Sequence, residues 1–435
     1  MGEPVGLDTL GDWKNADYSA LGGLRKLCNV CFNAWCLQAN AVHLFPVLSM
    51  GATTRQIELF SNVSPEVSVK RVEELRPQGE MAFQESIADR PAKSSIPPGK
   101  AVQRLVSFCF LIVLLVFAVN ALVGVGLRHI RTSSFGAWNQ VMQGRVNADV
   151  IISGSSRATY HYDPRVIESA TGRTAFNIGR VGSQTDVQVA VLKAYLEHNR
   201  KPTLVVHNLD AFTFVTTREI FEPAQYVPYL DDQTLYESLR RFDPNLAKSR
   251  YLPLYGYIVE DMNFAWFTGV RALLGRFPKE DYFLGFSPRD KEWSDEFERF
   301  KRGNPHGVSF AIEPKGVEAL AQLIQLCQQN GIQLVLVYSP EYSEMQTLTN
   351  NRIAIFATFK ELADRNHVQL WDFSNWMHDG DRDYFYNSQH LNSKGAEAFS
   401  DDLAARLKDY LAKSSKKQPG AFQVSISQSP AGRHN

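Results

Sequence analysis

An uninterrupted apolar segment constrains this 435-residue chain more than any other feature. It reads LVSFCFLIVLLVFAVNALVGVGL from Leu105 to Leu127, contains no charged residue, and is bracketed by Arg104 and Arg128. Roughly 20 apolar residues are enough to cross the hydrocarbon core of a bilayer as a helix. The core helix of a soluble domain is the alternative, but such helices are rarely this long and this uniformly apolar. The segment therefore predicts one transmembrane helix, in which Asn120 is the one strongly polar side chain.

Basic residues on the two sides of this segment predict its orientation. On the N-terminal side are Arg90, Lys93, Lys100 and Arg104, and on the C-terminal side are Arg128, Arg131 and Arg145. The positive-inside comparison is nearly balanced and leans towards a cytoplasmic N-terminus. The segment also lies too far from Met1 to be an ordinary cleaved signal peptide. We therefore expect a signal anchor that leaves the rest of the chain outside the cytoplasm.

The overall charge and the cysteines narrow the classes of ligand. The formal net charge is +0, so nothing global indicates a nucleic-acid partner. The five cysteines are too few for a disulfide scaffold. A tetrahedral zinc site could be formed by three thiolates and an imidazole from Cys28, Cys31, Cys36 and His43. The spacing of these residues, however, matches no strong zinc-binding pattern. Residues 1–100 predict a poorly structured leader that ends in a Pro-rich linker. We expect the cysteines in this leader to be incidental. For the chain as a whole we expect no metal and no organic cofactor.

After the apolar segment, short β-branched runs alternate with helical patterns. The runs are ADVIISG, TAFNIG, PTLVVHNL, IQLVLVYSP and VQLWDF. The helical patterns cover Asp186–Arg200, Val317–Gly331, Arg352–Asn366 and Asn392–Ala412. Near-continuous apolar strands of this kind are typical of a parallel sheet covered by helices on both faces. The alternation therefore predicts an α/β domain over residues 145–412, with functional sites at the carboxyl ends of its strands.

One long stretch interrupts this alternation. Residues 211–314 are rich in Tyr, Phe, Trp and Arg and are too long for a plain loop. They predict a helical insertion that caps or flanks the site. We expect most of its aromatic residues to pack in its own core, with a sugar groove as the alternative. Residues 413–435 are polar and predict a disordered tail.

Two separated blocks carry side chains suited to nucleophilic catalysis. The first strand ends in Gly154, Ser155 and Ser156, and a serine there needs a base because its hydroxyl is a poor nucleophile near neutral pH. The best base is His390, just before the closing helix, and Asn387 can fix its tautomer through the distal ring nitrogen. The alternative is that the serines only cap the next helix and that His390 is structural. Finding both blocks in one α/β domain favours catalysis.

This combination resembles the SGNH (GDSL-like) hydrolases. It is most similar to membrane-anchored members that act on cell-surface polymers, such as the alginate O-acetylation proteins and the D-alanyl-lipoteichoic acid transfer protein. The family's first block is matched by GSS at residues 154–156, its second by FNIGRVGSQ, and its last by NSQHLNSKGAEAF. The resemblance covers Asp149 to Leu411, interrupted by the insertion, and covers neither the leader nor the tail.

The resemblance implies a fold and individual roles. The fold would be a three-layer α/β/α, flavodoxin-like parallel sheet with the insertion, preceded by one transmembrane helix. Ser156 would be the nucleophile and His390 the base, oriented by Asn387. The backbone amides of Ser156 and Gly182 would hold an oxyanion. The side chain of Asn208 would be a further donor to the oxyanion. The alternative is that Asn208 is only a turn residue.

This sequence departs from the family pattern at two places. Asn387 stands where the family usually carries an acid, and an amide cannot stabilise an imidazolium as a carboxylate does. Asp383 or Asp372 is an alternative acid, and a Ser-His dyad is a further alternative. The third block is also incomplete in VVHNLDAF. Arg157, directly after the nucleophile, would bind an anionic substrate or, as we rather expect, pair with an acid at the sheet edge.

These features predict a membrane-anchored, extracytoplasmic serine esterase or O-acyltransferase that acts on ester groups of a cell-surface or exported polysaccharide. By resemblance, it would be a single-pass protein of the bacterial inner membrane whose α/β domain faces the periplasm or exterior. An integral membrane acyl-transfer protein would be its partner. The competing class is a non-catalytic polysaccharide assembly or binding protein that keeps the fold with a degenerate triad. Asn387 and the incomplete third block favour that second class.

Overall fold

The structure, a computed structural model, describes residues 98–258 and 265–416 of the chain. The cysteine cluster with His43, nearly all of the leader and most of the expected tail lie outside the described residues. What the sequence indicates for those segments therefore stays a prediction.

A five-stranded sheet and a two-stranded hairpin are present in the described ranges. The sheet strands are β1 (Val150–Ser153), β2 (Ala175–Asn177), β3 (Leu204–Leu209), β4 (Gln333–Tyr338) and β5 (Gln369–Asp372), and the hairpin strands are β6 (Phe385–Asn387) and β7 (His390–Leu391). Each sheet strand lies inside a run that predicted it. The hairpin was not predicted, because its strands are too short to show a period of two.

Helices form most of the remaining regular structure. They are α1 (Pro98–His129), α2 (Ser133–Met142), α3 (Ser156–His161), α4 (Pro164–Thr171), α5 (Thr185–His198), α6 (Gln233–Leu239), α7 (Asn245–Tyr251), α8 (Tyr255–Ile258), α9 (Ala265–Leu273), α10 (Glu296–Gly303), α11 (Pro314–Gln329), α12 (Ser343–Leu348), α13 (Arg352–Arg365) and α14 (Ser393–Lys416). The four predicted helical patterns correspond to α5, α11, α13 and α14. The last of these extends into the segment that was predicted as a tail.

The central sheet is parallel throughout, with the strand order β2-β1-β3-β4-β5. This is the order of flavodoxin-like doubly wound sheets, so the predicted α/β fold class is confirmed. Strands are added on opposite sides of β1, and the crevice at the carboxyl ends of β1 and β3 is therefore a topological switch point. The segments that begin at Gly154 and Asp210 leave the sheet beside this crevice.

The two faces of the sheet carry separate hydrophobic cores. Ile151 and Val205 pack on the face covered by α5, α11 and α13. Val150, Ile152 and Val206 pack on the face covered by α3, α4 and α14. Successive residues alternate in this way because neighbouring side chains of a strand point to opposite faces. Since both faces are buried, the strands are apolar at most positions, and polar residues such as Ser153, Asn177 and Asn208 lie at or near their carboxyl ends.

Helix α1 is long and apolar enough to cross a membrane. Its large apolar side chains from Val102 to Leu122 are mostly exposed. At about 1.5 Å per residue this stretch is about 30 Å long, which matches the hydrocarbon core of a bilayer. The last turns differ, because Val123 and Leu127 are fully buried against the domain. Leu254 N donates to Asn120 Oδ1 at 2.8 Å, so the polar residue lies where the helix joins the domain.

The region between β3 and α11 forms short helices and 3₁₀ turns in its described part. Several of its aromatic side chains are buried, among them Tyr226, Tyr257 and Phe297. Others are exposed, including Trp266 and Phe267 of α9. Tyr226 and Tyr257 belong to one core of the sheet and Phe297 to the other, so these side chains pack in the α/β domain and not in the separate core of the insertion that was expected. On α9 the insertion also presents an apolar surface.

Helix α9 crosses the end of α1 with the two backbones in contact. A Cβ atom on Gly126 would lie 1.9 Å from Gly269 O, and a Cβ atom on Gly269 would lie 2.7 Å from Val123 O. Small residues at a helix crossing permit this close approach. The insertion is therefore attached to α1 through glycine packing.

We expect Gly126→Ala to destabilise the detergent-solubilised protein, because the added methyl group would overlap the Gly269 carbonyl and one helix would have to move. Overpacking of this kind costs about 1–3 kcal/mol. The matched control is Gly99→Ala in the same helix, where an added Cβ meets nothing within 4 Å. Thermal unfolding should give a lower Tm for Gly126→Ala only. Equal Tm values for the two variants would contradict the close crossing.

Candidate active site

The crevice between β1 and β3 holds the turn that presents Ser156. After Ser153, Gly154 has a φ of +146°, which L side chains rarely adopt. A Cβ atom on Gly154 would also lie 2.9 Å from Asn208 Cβ. Ser156 then begins α3 and is half-buried. The glycine thus permits a sharp turn that brings the following serines to the edge of the sheet.

The two adjacent serines make different contacts. Ser155 is buried, and its Oγ accepts a hydrogen bond from Arg157 N at 3.2 Å as the N-cap of α3. Ser156 Oγ lies 2.7 Å from His390 Nε2. Capping and contact with the histidine, which were alternatives for the pair, therefore belong to different residues.

A tight hairpin carries His390 to Ser156. Strands β6 and β7 are antiparallel and pair Asn387 with His390. Asn387 Oδ1 accepts from Gln389 N at 3.1 Å and from His390 N at 2.9 Å, in the manner of an Asx turn. The same oxygen lies 3.0 Å from His390 Nδ1. One amide oxygen therefore shapes the turn and contacts the imidazole.

These contacts determine which ring nitrogen of His390 carries a hydrogen. Backbone N–H groups only donate, so the Asn387 atom that faces them is the carbonyl oxygen and not the amide nitrogen. That oxygen only accepts, so Nδ1 of His390 must be protonated. In the neutral ring, Nε2 is then free to accept the hydrogen of the Ser156 hydroxyl. Asn387 thus selects the tautomer that a serine base requires.

Three rings enclose the imidazole of His390. Tyr386 stacks on it, with ring centroids 5.4 Å apart and planes 5° apart. Tyr160 and His161 are both oriented edge-to-face with it, at centroid distances of 5.5 and 6.1 Å. These contacts fix the plane of the ring and exclude water from most of its surface.

In the described part of the chain, the charged groups that act on His390 are Arg157 and Arg289, and no carboxylate has a hydrogen bond to its ring. Burial lowers the pKa of His390 to about 3, and the charges of Arg157 and Arg289 act in the same direction. The imidazole is therefore neutral at physiological pH and is a weak base. Asp383 and Asp372, the alternative acids, are exposed, and neither has a hydrogen bond to His390. Only Asn387 occupies the position of the orienting group.

Arg157 lies inside the domain and not at its surface. Its side chain is 2 % exposed and its Nη1 lies 3.6 Å from Asp210 Oδ1. The guanidinium also donates to Ser339 O and, at 3.0 Å, to Pro340 O, and it packs 4.6 Å from the centroid of the Tyr338 ring. The interpretation of Arg157 as a substrate-binding residue is therefore wrong in this arrangement. The alternative, pairing with an acid at the sheet edge, describes it.

Asn208 and Gly182, the expected side-chain and backbone donors to an oxyanion, differ in their availability. Asn208 Nδ2 donates to Asp210 Oδ1 at 3.1 Å and to Leu209 O at 3.2 Å. Its Oδ1 accepts from Tyr162 Oη at 2.7 Å. The amide is thus engaged in buried hydrogen bonds, and its contacts match the turn role and not the oxyanion role. Gly182, in contrast, is exposed in the loop after β2.

The loop after β2 runs beside the turn after β1. Ile178 N donates to Ile152 O at 2.8 Å, and Arg180 N donates to Gly154 O at 2.9 Å. Gly182 follows with a φ of +69°, and a Cβ atom there would lie 2.5 Å from Phe221 Cγ. The second block is therefore held next to the first, and the oxyanion role of the Gly182 amide stays a prediction.

His161, at the end of α3, positions the strand that carries His390. Its Nε2 accepts from Leu391 N at 3.1 Å, and its Nδ1 lies 3.0 Å from Ser339 Oγ. Burial lowers the pKa of His161 well below its usual value, so the ring stays neutral and can accept at Nε2. No sequence pattern indicated this role, because the contact joins residues that lie far apart in the sequence, near the start and the end of the α/β domain.

A segment of the insertion covers the site. The hydrogen bonds that attach it include Ser287 N to Thr159 O (3.0 Å), Arg289 Nη2 to Tyr160 Oη (2.7 Å), Ser294 N to Tyr386 O (3.3 Å) and Ser393 N to Arg289 O (3.0 Å). The segment thus connects α3 to the hairpin. The sequence predicted that the insertion caps or flanks the site, but it did not indicate which residues make the contact. These residues show no hydrophobic periodicity from which the contact could be predicted.

One group of possible metal ligands lies in the described ranges, away from these residues. It consists of Glu197, His198 and Asp232. His198 Nε2 lies 2.7 Å from Asp232 Oδ2, while Asp232 Oδ1 accepts from Leu235 N as the cap of α6. A hydrogen bond and a helix cap account for this group, and we assign no metal to it.

Comparisons with known proteins give distant structural similarities. No protein-family model matches the chain, and no curated protein is significantly similar to it. A solved structure provisionally named as a platelet activating factor from Streptococcus pneumonia is 14 % identical, with a TM-score of 0.32 over 72 % of this chain and 100 % of that one. A provisionally named acylhydrolase from Bacteroides fragilis is 12 % identical, with a TM-score of 0.29 over 60 % of this chain and 87 % of that one. Similarities of this size do not determine a function.

We expect a fluorophosphonate probe to label Ser156 at a rate that is constant between about pH 8 and about pH 5. The base must be unprotonated, and a His390 pKa of about 3 keeps it so across this range. A histidine with the ordinary pKa of about 6.5 would become protonated as the pH falls through that value. Circular dichroism at each pH controls for unfolding. A labelling rate that halves near the ordinary histidine pKa would contradict the lowered pKa.

Proposed function

We propose that this chain is a serine-dependent ester hydrolase or O-acyltransferase, with Ser156 as the nucleophile and His390 as the general base. The observation that carries the proposal is the 2.7 Å contact between Ser156 Oγ and His390 Nε2. It is supported by Asn387, whose contact with Nδ1 at 3.0 Å leaves Nε2 unprotonated. A nucleophile within hydrogen-bond reach of a base, which is itself oriented by a third group, is the arrangement that nucleophilic catalysis requires.

The proposed reaction has two halves. Ser156 Oγ attacks the ester carbonyl carbon while its proton passes to His390 Nε2. Collapse of the tetrahedral intermediate breaks the bond to the alcohol oxygen, which takes the proton from Nε2 and leaves an acyl group on Ser156. Water or an acceptor hydroxyl then loses its proton to Nε2 and attacks the acyl carbon. The second collapse returns the proton to Ser156 Oγ, and the acceptor decides between hydrolysis and transfer.

Backbone amides are the proposed oxyanion donors. Ser156 N lies in the first turn of α3, where N–H groups have no acceptor within the helix. Gly182 N, from the neighbouring loop, is the second donor in this proposal. Loss of one such donor typically costs about 3 kcal/mol of transition-state stabilisation. The charges of Arg157 and Arg289, which lower the pKa of His390, also favour the negative charge of the intermediate.

We infer further that α1 anchors the domain in a membrane and that the substrate is an ester on a cell-surface or exported polysaccharide. The length and exposed apolar surface of α1 support the anchor. The polysaccharide, a membrane-embedded acyl-transfer partner and a place in the bacterial inner membrane with the α/β domain outside the cytoplasm rest on the motif resemblance alone.

A non-catalytic polysaccharide-binding protein is the second candidate function. Two observations favour it: the amide of Asn387 in place of a carboxylate, and the low pKa of His390. Both make the imidazolium that forms during attack less stable. The contact between Ser156 and the correct tautomer of His390 favours the enzyme.

We expect Ser156→Ala to abolish both turnover of a chromogenic acetyl ester and labelling by a fluorophosphonate, because it removes the nucleophile. The matched control is Ser155→Ala, which removes the N-cap of α3 and should lower the free energy of unfolding by about 1 kcal/mol. This control keeps Ser156 and should retain turnover. If the wild type has no turnover, or Ser156→Ala retains it, the serine mechanism is wrong.

We expect Asn387→Asp to raise the pKa of His390 and to increase kcat. A carboxylate can keep the Asx turn while it places a negative charge about 3 Å from Nδ1, and a neighbouring opposite charge raises an imidazole pKa by about 1–3 pH units. Because the base must be unprotonated, the loss of kcat/KM at low pH should begin at a higher pH than in the wild type. Asn387→Ala, which removes both the turn acceptor and the orienting group, should lose activity. An unchanged pH profile in Asn387→Asp would contradict the role of Asn387.

A further inference from the structure

An exposed apolar surface, here called the α9 face, lies on the insertion. It is formed by Trp266, Phe267, Val270, Leu273 and Leu274. These residues recur at helical spacing along and just after α9, so they form one stripe. Phe267 is 47 % exposed and Leu274 is 71 % exposed. A contiguous group of this kind marks an interaction surface, whereas single exposed apolar residues do not.

The opposite side of α9 faces α1. Ala265, Gly269 and Ala272 are buried, and the Gly126–Gly269 contact brings the two backbones together. The small residues of α9 therefore pack on the end of α1, while its large apolar residues point away. The α9 face thus lies beside the end of α1, whose own large apolar side chains are exposed as far as Leu122 and again at Val125.

Basic residues gather at the same end of α1. They are Arg128, Arg131, Arg271, Arg276 and Lys279, all exposed. Thr132 Oγ1 donates to Pro278 O at 2.7 Å, which holds the segment after α9 against the residues that follow α1. Within the described ranges none of these five side chains forms an ion pair. Two acidic residues, Glu280 and Asp281, come directly after Lys279 in the sequence.

We propose that the α9 face is embedded in the membrane beside α1, at the depth of the headgroup boundary. The inference rests on the proposed membrane anchor and adds a second, separate contact with lipid. Lipid is the occupant because the α9 face lies beside the end of a helix that is long and apolar enough to cross a membrane. Basic side chains also lie where that helix leaves its apolar stretch, which is where lipid phosphates would be. Helices with Trp, Phe and Leu on one side bind at this boundary.

Two contacts with the bilayer would fix the position of the active site relative to the membrane. The last turns of α1 are buried in the domain, so α1 is packed directly on it. With the α9 face in lipid as well, the domain is held against the bilayer at two adjacent points. Its orientation is then fixed, and the distance of Ser156 from the membrane is set by the fold.

The experiment uses the full chain reconstituted in phosphatidylcholine vesicles that contain lipids brominated near the top of the acyl chains. The contribution of Trp266 to the emission is the difference between the wild type and Trp266→Phe. The matched control is Trp293→Phe, a half-buried tryptophan in the segment over the active site. We expect the brominated lipids to quench at least half of the Trp266 emission and to leave that of Trp293 unchanged. Aqueous iodide should not quench Trp266.

Two outcomes would overturn the inference. If the chain resists carbonate extraction but Trp266 is quenched by iodide or by neither reagent, α1 is in the membrane and the α9 face is not, whether water, a second copy or another protein covers it. If carbonate extracts the chain, the anchor itself fails, and the inference fails with it. Neither outcome affects the Ser156 ester assay, so a failure here is distinguishable from a failure of the proposed chemistry.

Discussion

The proposed chemistry depends on one oxygen atom, Asn387 Oδ1. It accepts from two backbone N–H groups, which close the turn between β6 and β7, and it contacts Nδ1 of His390. The first two contacts fix the orientation of the amide, and the third then fixes the tautomer of the imidazole. An asparagine in the place of an acid usually carries the risk that it presents its nitrogen and selects the wrong tautomer. Here the turn removes that risk.

What Asn387 cannot supply is negative charge. His390 is enclosed by Tyr160, Tyr386 and His161, and the nearby charges are those of Arg157 and Arg289. This environment disfavours an imidazolium and favours an oxyanion. In the proposed reaction, most of the stabilisation would therefore fall on the tetrahedral intermediate. The same environment would suit a protein that has kept its geometry and lost its turnover, which is why the charge at position 387 discriminates between the two candidate functions.

The sheet was predictable and the details of the site were not, for physical reasons. Strands buried on both faces, such as Val150–Ser153, are short and mostly apolar runs and are visible in the sequence. Their alternation with helices brings the segments around Ser156 and His390 to one edge. The choice between Ser155 and Ser156 depends on the turn at Gly154, where φ is +146°. No residue pattern encodes that angle.

Long-range contacts explain the remaining differences. Arg157 points inward to Asp210 because it follows Ser156 by one position on a helix packed against the sheet. Asn208 is engaged by Tyr162 and Asp210, which come from other elements. Arg289 reaches Tyr160 from an insertion without a recognisable pattern.

The tautomer of His390 tests the account most directly. Nitrogen-15 NMR of the labelled protein near neutral pH, with the signals of His390 identified by their absence in His390→Gln, reports the protonation of each ring nitrogen. The account predicts a protonated Nδ1 and an unprotonated Nε2. A protonated Nε2, in either the other neutral tautomer or an imidazolium, would contradict it, because Ser156 would then face a donor and have no base.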